Sequence, residues 1–487
     1  MLTKANKKLL LAGAACLWSL FVSSAALGQE EGSKSEPSEQ GAETDPPASE
    51  PPASEESSAS FSGVNEAEAS ADEVPRRKEK EASENKKSPE GSPALVRFRS
   101  LLNDQQLAAA RLSNYTFDPQ YVGYMRVPFT SFLVQLNLRP RVDMAVSSGN
   151  LGTGGRFVPA LFALPGSTPD ADMWGFMASA DGSQVRIDIR SPNNPGNLRI
   201  YYQNDFSGST TRGMQYRLQH LYGKFYGIVG GFTFGVFEDP DAWPDTVDYE
   251  GPNSVVFARR AVLQYKFALS EHWRFTISAE EPSFYVDTST DENAMTGESA
   301  TPHLYAPDSG FSVRWTFGNG SHLRSSAIFR VLGVNGLNSA DAAVFGWGAN
   351  LSGGFNLGES TSLLFWGVYG NGVGGMGNDT SFLSADLALN SSGEWVAPRY
   401  LSSMASLTHR WSSHWRSTIS HGYVNLETTD LQPADAYRWS HYANGNLIYS
   451  FDRHLQIGIE GLYGYKRVEN GDDVGRFRGL MSAMYSL

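Results

Sequence analysis

From about residue 131 to Leu487, apolar and polar residues alternate with a period of two, segment after segment. Successive side chains of an extended chain point to opposite faces, so such a segment is a strand with one oily and one wettable side. In the first segment Phe132, Val134, Leu136, Leu138, Pro140, Val142, Met144 and Val146 alternate with residues that include Gln135, Asn137, Arg139, Arg141 and Asp143. In the last, Phe477, Gly479, Met481, Ala483, Tyr485 and Leu487 alternate with Arg476, Arg478 and Ser482. Sixteen such runs lie near 131–146, 183–190, 197–206, 213–222, 226–236, 259–267, 273–280, 310–317, 322–332, 344–356, 361–371, 401–411, 415–424, 441–451, 455–465 and 475–487. Tight turns such as Gly318-Asn319-Gly320, Ser412-Ser413-His414 and Asp452-Arg453-His454 close every second connection. Long loops, 281–309 and 372–400 among them, join most of the others. In hydrocarbon every backbone polar group needs an internal partner, which leaves helices and closed barrels as the only spanning forms. The expected fold is therefore all-β: a transmembrane antiparallel barrel of about sixteen strands over 131–487, apolar outside and polar inside. A soluble β-sandwich with its charges outward shares the same parity. The export signal, the aromatic residues near strand ends and the absence of core-forming helices favour the membrane.

The front of the chain is different. Lys4, Lys7 and Lys8, an apolar run over 9–22 and the small residues before Gln29 mark 1–28 as a signal peptide. A lipoprotein anchored at Cys16 is the competing reading. Cys16 is the chain's one cysteine, so a mature chain starting at residue 29 has no thiol chemistry, no disulfide and no cysteine-based zinc site. Residues 29–93 hold 17 acidic and 7 basic residues among Ser, Pro, Ala and Glu, with Phe61 the lone aromatic. That composition predicts disorder, and a coil of this length has an end-to-end distance of about 45 Å, a spacer or tether. Leu95, Phe98, Leu102, Gln105, Ala109 and Leu112 predict a short helix over 94–112, either a coiled-coil strand or a lone amphipathic helix, followed by a linker over 113–130. No run of 18 apolar residues follows residue 28, which excludes a spanning helix. The net charge of -13, with no basic domain, argues against nucleic acid as a partner.

A sixteen-stranded barrel is wide enough for water, and charge rings set the selectivity of such a pore. By parity Arg139, Arg141, Arg186, Arg190, Arg199, Arg217, Arg260, Arg274 and Arg314 face the lumen, joined by Arg324 and Arg330. Guanidinium groups bind carboxylates bidentately, so these are the expected pore-lining basic residues, an anion ladder. Pairing with Asp143, Asp188, Asp205 or Glu280 to stiffen the wall is the other use for them. The loop after the fifth strand carries Glu238, Asp239, Asp241, Asp245, Asp248 and Glu250, is stiffened by Pro240, Pro244 and Pro252, and has no base. It is the candidate constriction loop, its acids facing the arginine wall to set a transverse field. The nine histidines show no metal spacing, and His409, His414 and His421 gather around one turn. Ser420 and His421, as strand neighbours, point apart and make no catalytic pair. No catalytic residue, metal or cofactor is expected, and the chain is not expected to be an enzyme.

Three stretches look familiar: Pro195-Gly196-Asn197-Leu198-Arg199-Ile200-Tyr201, Asn204-Asp205-Phe206, and Tyr216-Arg217-Leu218-Gln219-His220-Leu221-Tyr222-Gly223. With Glu238-Asp239-Pro240-Asp241, Tyr249-Glu250-Gly251-Pro252-Asn253 and Ala279-Glu280-Glu281-Pro282, this order resembles the DcaP-like porins of Gram-negative outer membranes. The similarity is dense over about 180–285 and diffuse beyond. The resemblance implies a homotrimer of sixteen-stranded barrels in outer-membrane lipid, a helical periplasmic segment ahead of the barrel, and passive uptake of small anions such as dicarboxylates. The 94–112 helix is shorter than that family's helical segment, and the chain ends at Leu487 where such barrels usually end in Phe. The alternative function is a structural or adhesive outer-membrane barrel without transport.

Overall fold

The computed structural model describes residues 123–487, apart from 153–154, 192–195, 209–213, 288–299 and 336–340, together with the backbone of 116–117. The chain divides into units 1–56 and 57–487, and all described residues belong to the second. The expected signal peptide (1–28), acidic segment (29–93) and helix (94–112) lie outside the described residues.

The alternating runs fold as sixteen staves. They are β1 (Leu133–Arg139 and Arg141–Ser147, divided at Pro140), β2 (Gly175–Ser179 and Gln184–Ser191), β3 (Leu198–Asp205), β4 (Arg217–Phe225) and β5 (Ile228–Phe234). There follow β6 (Arg259–Ala268), β7 (Trp273–Glu280), β8 (Asp308–Thr316), β9 (His322–Asn335), β10 (Ala342–Asn356) and β11 (Thr361–Asn371). The last five are β12 (Arg399–Arg410), β13 (Trp415–Leu426), β14 (Tyr437–Ser450), β15 (Leu455–Val468) and β16 (Asp473–Tyr485). Each pairs antiparallel with the next, from Leu136↔Ile187 between β1 and β2 to Glu460↔Leu480 between β15 and β16. Met481↔Met144 then pairs β16 with β1, so the sheet closes on itself.

The residues expected to face out do so. Phe345 is 63% exposed, and Leu136, Met144, Phe329, Leu351, Ile419, Ile459 and Phe477 stand on the same outer surface. Their strand neighbours Arg141, Asp143, Arg330, Ser352, Ser420, Glu460 and Arg478 are buried within. Near the short turns the outer surface carries a belt of rings. Trp273 stacks on Trp315 at 5.5 Å, and Phe317, Phe355 and Phe365 continue it. This is where amphipathic rings meet lipid headgroups.

The ladder of β16 covers the second half of β1, and Leu487 N reaches back to Leu138 O at 3.0 Å, which leaves Leu133–Asn137 beyond its reach. The chain caps part of that edge itself: Met125 and Arg126 pair with Val134 and Leu133, and Thr116–Phe117 pairs with them in turn. The expected linker over 113–130 thus contains rungs of the sheet. Tyr124 donates its hydroxyl to Asp188 on the inner wall at 2.7 Å.

Three long connections, L1 (148–174), L3 (235–258) and L6 (372–398), bend into the lumen, and Phe284 and Val286 of a fourth, L4 (281–307), pack against Leu332 and Val334 of β9. Apolar residues of L1, L3 and L6 collect inside the lumen: Val158, Phe237, Trp243, Val255, Phe257, Val373, Met376 and Ala385 pack against Ile328, Trp366, Met404 and Val424 of the wall. The polar inner face expected from parity is present, and a compact apolar core supplied by the loops sits within it.

Candidate functional site: a basic mouth beneath an inward loop

L3 leaves β5 and crosses the lumen as a septum, buried over nearly its whole length. Its spokes reach round the ring. Val236 N donates to Glu280 of β7 at 2.6 Å, and Val236 O accepts from Arg324 of β9 at 2.7 Å. Phe237 O accepts from Asn350 of β10 at 2.7 Å. Asp239 accepts from His322 of β9 at 3.0 Å and Ser352 of β10 at 2.7 Å, with Arg314 and Arg324 at 3.6 and 3.7 Å. Asp241 pairs with Arg314 of β8, and Asp245 with Arg416 of β13 at 2.5 Å. Beyond the tip, Val247 O accepts from Arg141 of β1 at 2.5 Å, and Asp248 meets Tyr442 and Glu460 of β14 and β15. Tyr249 donates to Asp205 of β3 at 2.6 Å, and Glu250 pairs with Arg156 of L1 at 3.0 Å. Glu238 lies 4.0 Å from Arg260, whose closer partners are Asp308 at 2.9 Å and Glu280 at 3.6 Å.

Burial shapes the charges of this loop. It pushes the Glu238 carboxyl up to about 7, with Arg260 opposing and Glu280 adding, and raises Asp248 to about 7 against the pull of Arg478. Burial works the same way on Asp239. There the His322 hydrogen bond and the Arg324 and Arg314 charges win, and the carboxyl is held well below the usual range.

The loop therefore bends inward, but its acids do not face the arginine wall across open water. They bond directly to the wall, and only Asp241 keeps appreciable exposure, 18% of its side chain. Of the nine arginines named from parity, Arg141, Arg217 and Arg260 are buried in ion pairs, with Asp143 at 2.8 Å, with Asp205, and with the Asp308 cluster. Arg190 and Arg199 share Asp188 at 2.9 and 3.1 Å. Arg186 donates to Gln184 at 2.5 Å, and Arg139 to Ser486 at 3.1 Å beside the chain's end. Arg274 and Arg314 line open space, Arg314 from within its pair with Asp241, and Arg139, Arg190 and Arg199 border the same space.

That space is a mouth at the short-turn end, roofed by residues 238–245 of L3. It comprises a cavity of about 1390 Å³ and an adjoining one of about 450 Å³, which share Asp241, Arg274 and Arg314. Eleven Lys and Arg line the two together against six Asp and Glu. Lys224, Lys266, Arg410, Arg416 and Arg453 belong to that lining and were not singled out by parity within the early strands. The signal available for the last three was their place beside the tight turns 411–414 and 451–454. Among the described residues no carboxylate ion-pairs with Arg139, Arg410 or Arg453, in contrast to the arginines nearer L3.

His409, His414 and His421 do not come together. His409 bonds Thr361 at 2.8 Å, His414 stacks on Tyr449, and His421 meets His441 at 3.1 Å on the outer surface. The three residues whose ligand atoms do converge, within 4.8 Å, are Asp239, Asp241 and His322. Arg314 and Arg324 already supply the positive charge these carboxylates need, so a divalent ion would have to displace them.

The described ring is similar to the crystal structure of the outer membrane channel DcaP of Acinetobacter baumannii. Their TM-score is 0.63 at 18% identity, over 73% of this chain and 97% of that one. The fold is that of DcaP. Salmonella typhi OmpF in complex with daunomycin, at TM-score 0.46 and 10% identity, covers 73% of this chain and 98% of its own. An anion-selective porin from Comamonas acidovorans, at 0.44 and 8%, covers 73% and 100%. No protein-family model and no curated protein sequence matches the chain.

Proposed function

We propose that the chain is an outer-membrane porin that lets small hydrophilic solutes diffuse passively, with a modest preference for anions such as dicarboxylates. One observation carries the reading: the mouth of about 1390 Å³ lined by arginines, three of them without a carboxylate partner among the described residues. A mouth of one sign raises the local concentration of the opposite ion, and fixed guanidinium groups hold carboxylates in transit. In this reading the short turns and the N-terminal segment face the periplasm, the long loops face outward, lipid surrounds the belt of rings, and the molecule works as a homotrimer. It needs no cofactor and catalyses nothing; the solute gradient drives flow. Reversal potential across a salt gradient tests it: the anion permeates faster, and a cation preference overturns the assignment.

A second reading, a structural or adhesive barrel, draws on the apolar core that L1, L3 and L6 form in the lumen. Flux of dicarboxylates, sugars and amino acids into liposomes separates the two, since a permanently packed barrel passes none of them.

A further inference from the structure

L6 closes the lumen beyond L3, and the way it is fastened distinguishes it from the wall. Its ends meet in a neck where Gly372 N donates to Pro398 O at 3.0 Å. Gly372 takes φ +68°, which turns the chain inward from β11 in a conformation glycine holds without strain. Between these ends L6 forms no part of the closed ladder. Val256↔Gly377 is its one bridge to L3, and two rungs, Val286↔Leu387 and Asp287↔Ala388, join it to L4. Backbone oxygens take part of the remaining hold: Glu250 O and Pro252 O of L3 accept from Asn378 Nδ2 at 3.1 and 3.2 Å, Asn253 O accepts from Asp379 N at 3.1 Å, and Leu389 O accepts from Thr429 at 2.9 Å. The rest is apolar contact and two fully buried carboxylates that join L6 to other loops and to staves. Asp379 accepts from Ala160 N of L1 at 3.0 Å and from Tyr437 and Ser440 of β14 at 3.0 and 2.5 Å. Asp386 accepts from Tyr285 N of L4 at 3.0 Å, from Arg330 of β9 at 3.1 Å and from Gly375 N at 3.0 Å.

We propose that L6 is a lid, hinged at the Gly372–Pro398 neck and held shut by the Asp379 and Asp386 clasps, whose release opens the path above L3. The inference rests on the porin reading. A segment tied at its neck, with no ladder of its own to the wall, moves as one unit when its few polar ties break. Each clasp gathers L6 with another loop and with a stave, so the two carboxylates decide whether L1, L4 and L6 stand together or apart.

The test uses the full chain, whose one native cysteine is Cys16. Met376→Cys places a thiol on the buried face of L6, and a water-soluble maleimide reads how often that face is uncovered. Asp379→Ala and Asp386→Ala, each added to it, should speed labelling at least about tenfold, because each removes the acceptor oxygens that tie L6 to its neighbours whatever their charge. Channel conductance should rise with them. Labelling that is no faster in either Ala variant, in protein that keeps its heat-shifted gel mobility, overturns the lid. Faster labelling with no conductance from any variant leaves the lid standing and overturns the porin reading instead.

Discussion

Replacing Asp239 by Asn changes no shape and removes one charge. Asp239 is 0% exposed and accepts hydrogen bonds from His322 and Ser352, with Arg314 and Arg324 within ion-pair range. Breaking a buried ion pair on one side costs about 3–5 kcal/mol. The lower end applies here, because neither arginine is left alone: Arg314 keeps Asp241, and Arg324 keeps Val236 O at 2.7 Å. A loss of about 3 kcal/mol raises the undocked fraction of L3 roughly a hundredfold, at a factor of ten per 1.4 kcal/mol. L3 contains no Lys or Arg but does contain Phe237, Trp243 and Tyr249, so chymotrypsin, not trypsin, reports its release. Cleavage within 237–249 should accelerate by about that factor in Asp239→Asn. In Asp241→Asn, at a partly exposed position where Arg314 stays within reach of Asp239, it should change little. Equal cleavage rates for wild type and Asp239→Asn, or a larger effect at Asp241, would refute the idea that the buried ion-pair cluster at the start of L3 holds it in the lumen.

Other outcomes follow from the same geometry. Arg410→Glu with Arg453→Glu, at mouth positions without carboxylate partners, should lower anion preference in the reversal potential and leave the urea midpoint unchanged. Leu351→Arg, on the lipid side of β10, should cost about 2–4 kcal/mol in refolding into bilayers if it sits near midplane. Glu238 and Asp248, raised to about 7, and Asp379, raised to about 6 by burial, take up protons in the docked loops that the undocked loops release near pH 4. Docking is therefore strongest near pH 4–5, weakens as pH rises towards 7, and stays weaker above it. Conductance should be lower at pH 5 than at pH 8, and the reverse order would contradict the sign.

Much of the barrel was written in the parity of the strands. Lipid on one side and protein or water on the other leave each strand no choice of face, which is why Leu136, Leu351 and Phe477 could be placed from alternation alone. The inward bend of L3 was legible from its place as the third connection on the long-loop side and from the prolines that stiffen it, although six acids without a base would suit water equally well. What alternation cannot carry is which arginine meets which acid. Arg217 and Arg274 share the same inward parity, yet one is buried against Asp205 and the other faces open space, a difference set by where L3 lands. The apolar core inside the barrel was hidden for a related reason. Val255, Phe257, Val373 and Met376 lie in loops without periodicity, and only the fold brings them to Ile328 and Trp366.

Single-channel recording on the folded, full-length protein in a planar bilayer with a salt gradient reaches the central claim most directly. Stepwise openings whose reversal potential favours the anion are expected of a water-filled barrel with an arginine-lined mouth. A silent bilayer, or steps that favour the cation, would contradict it.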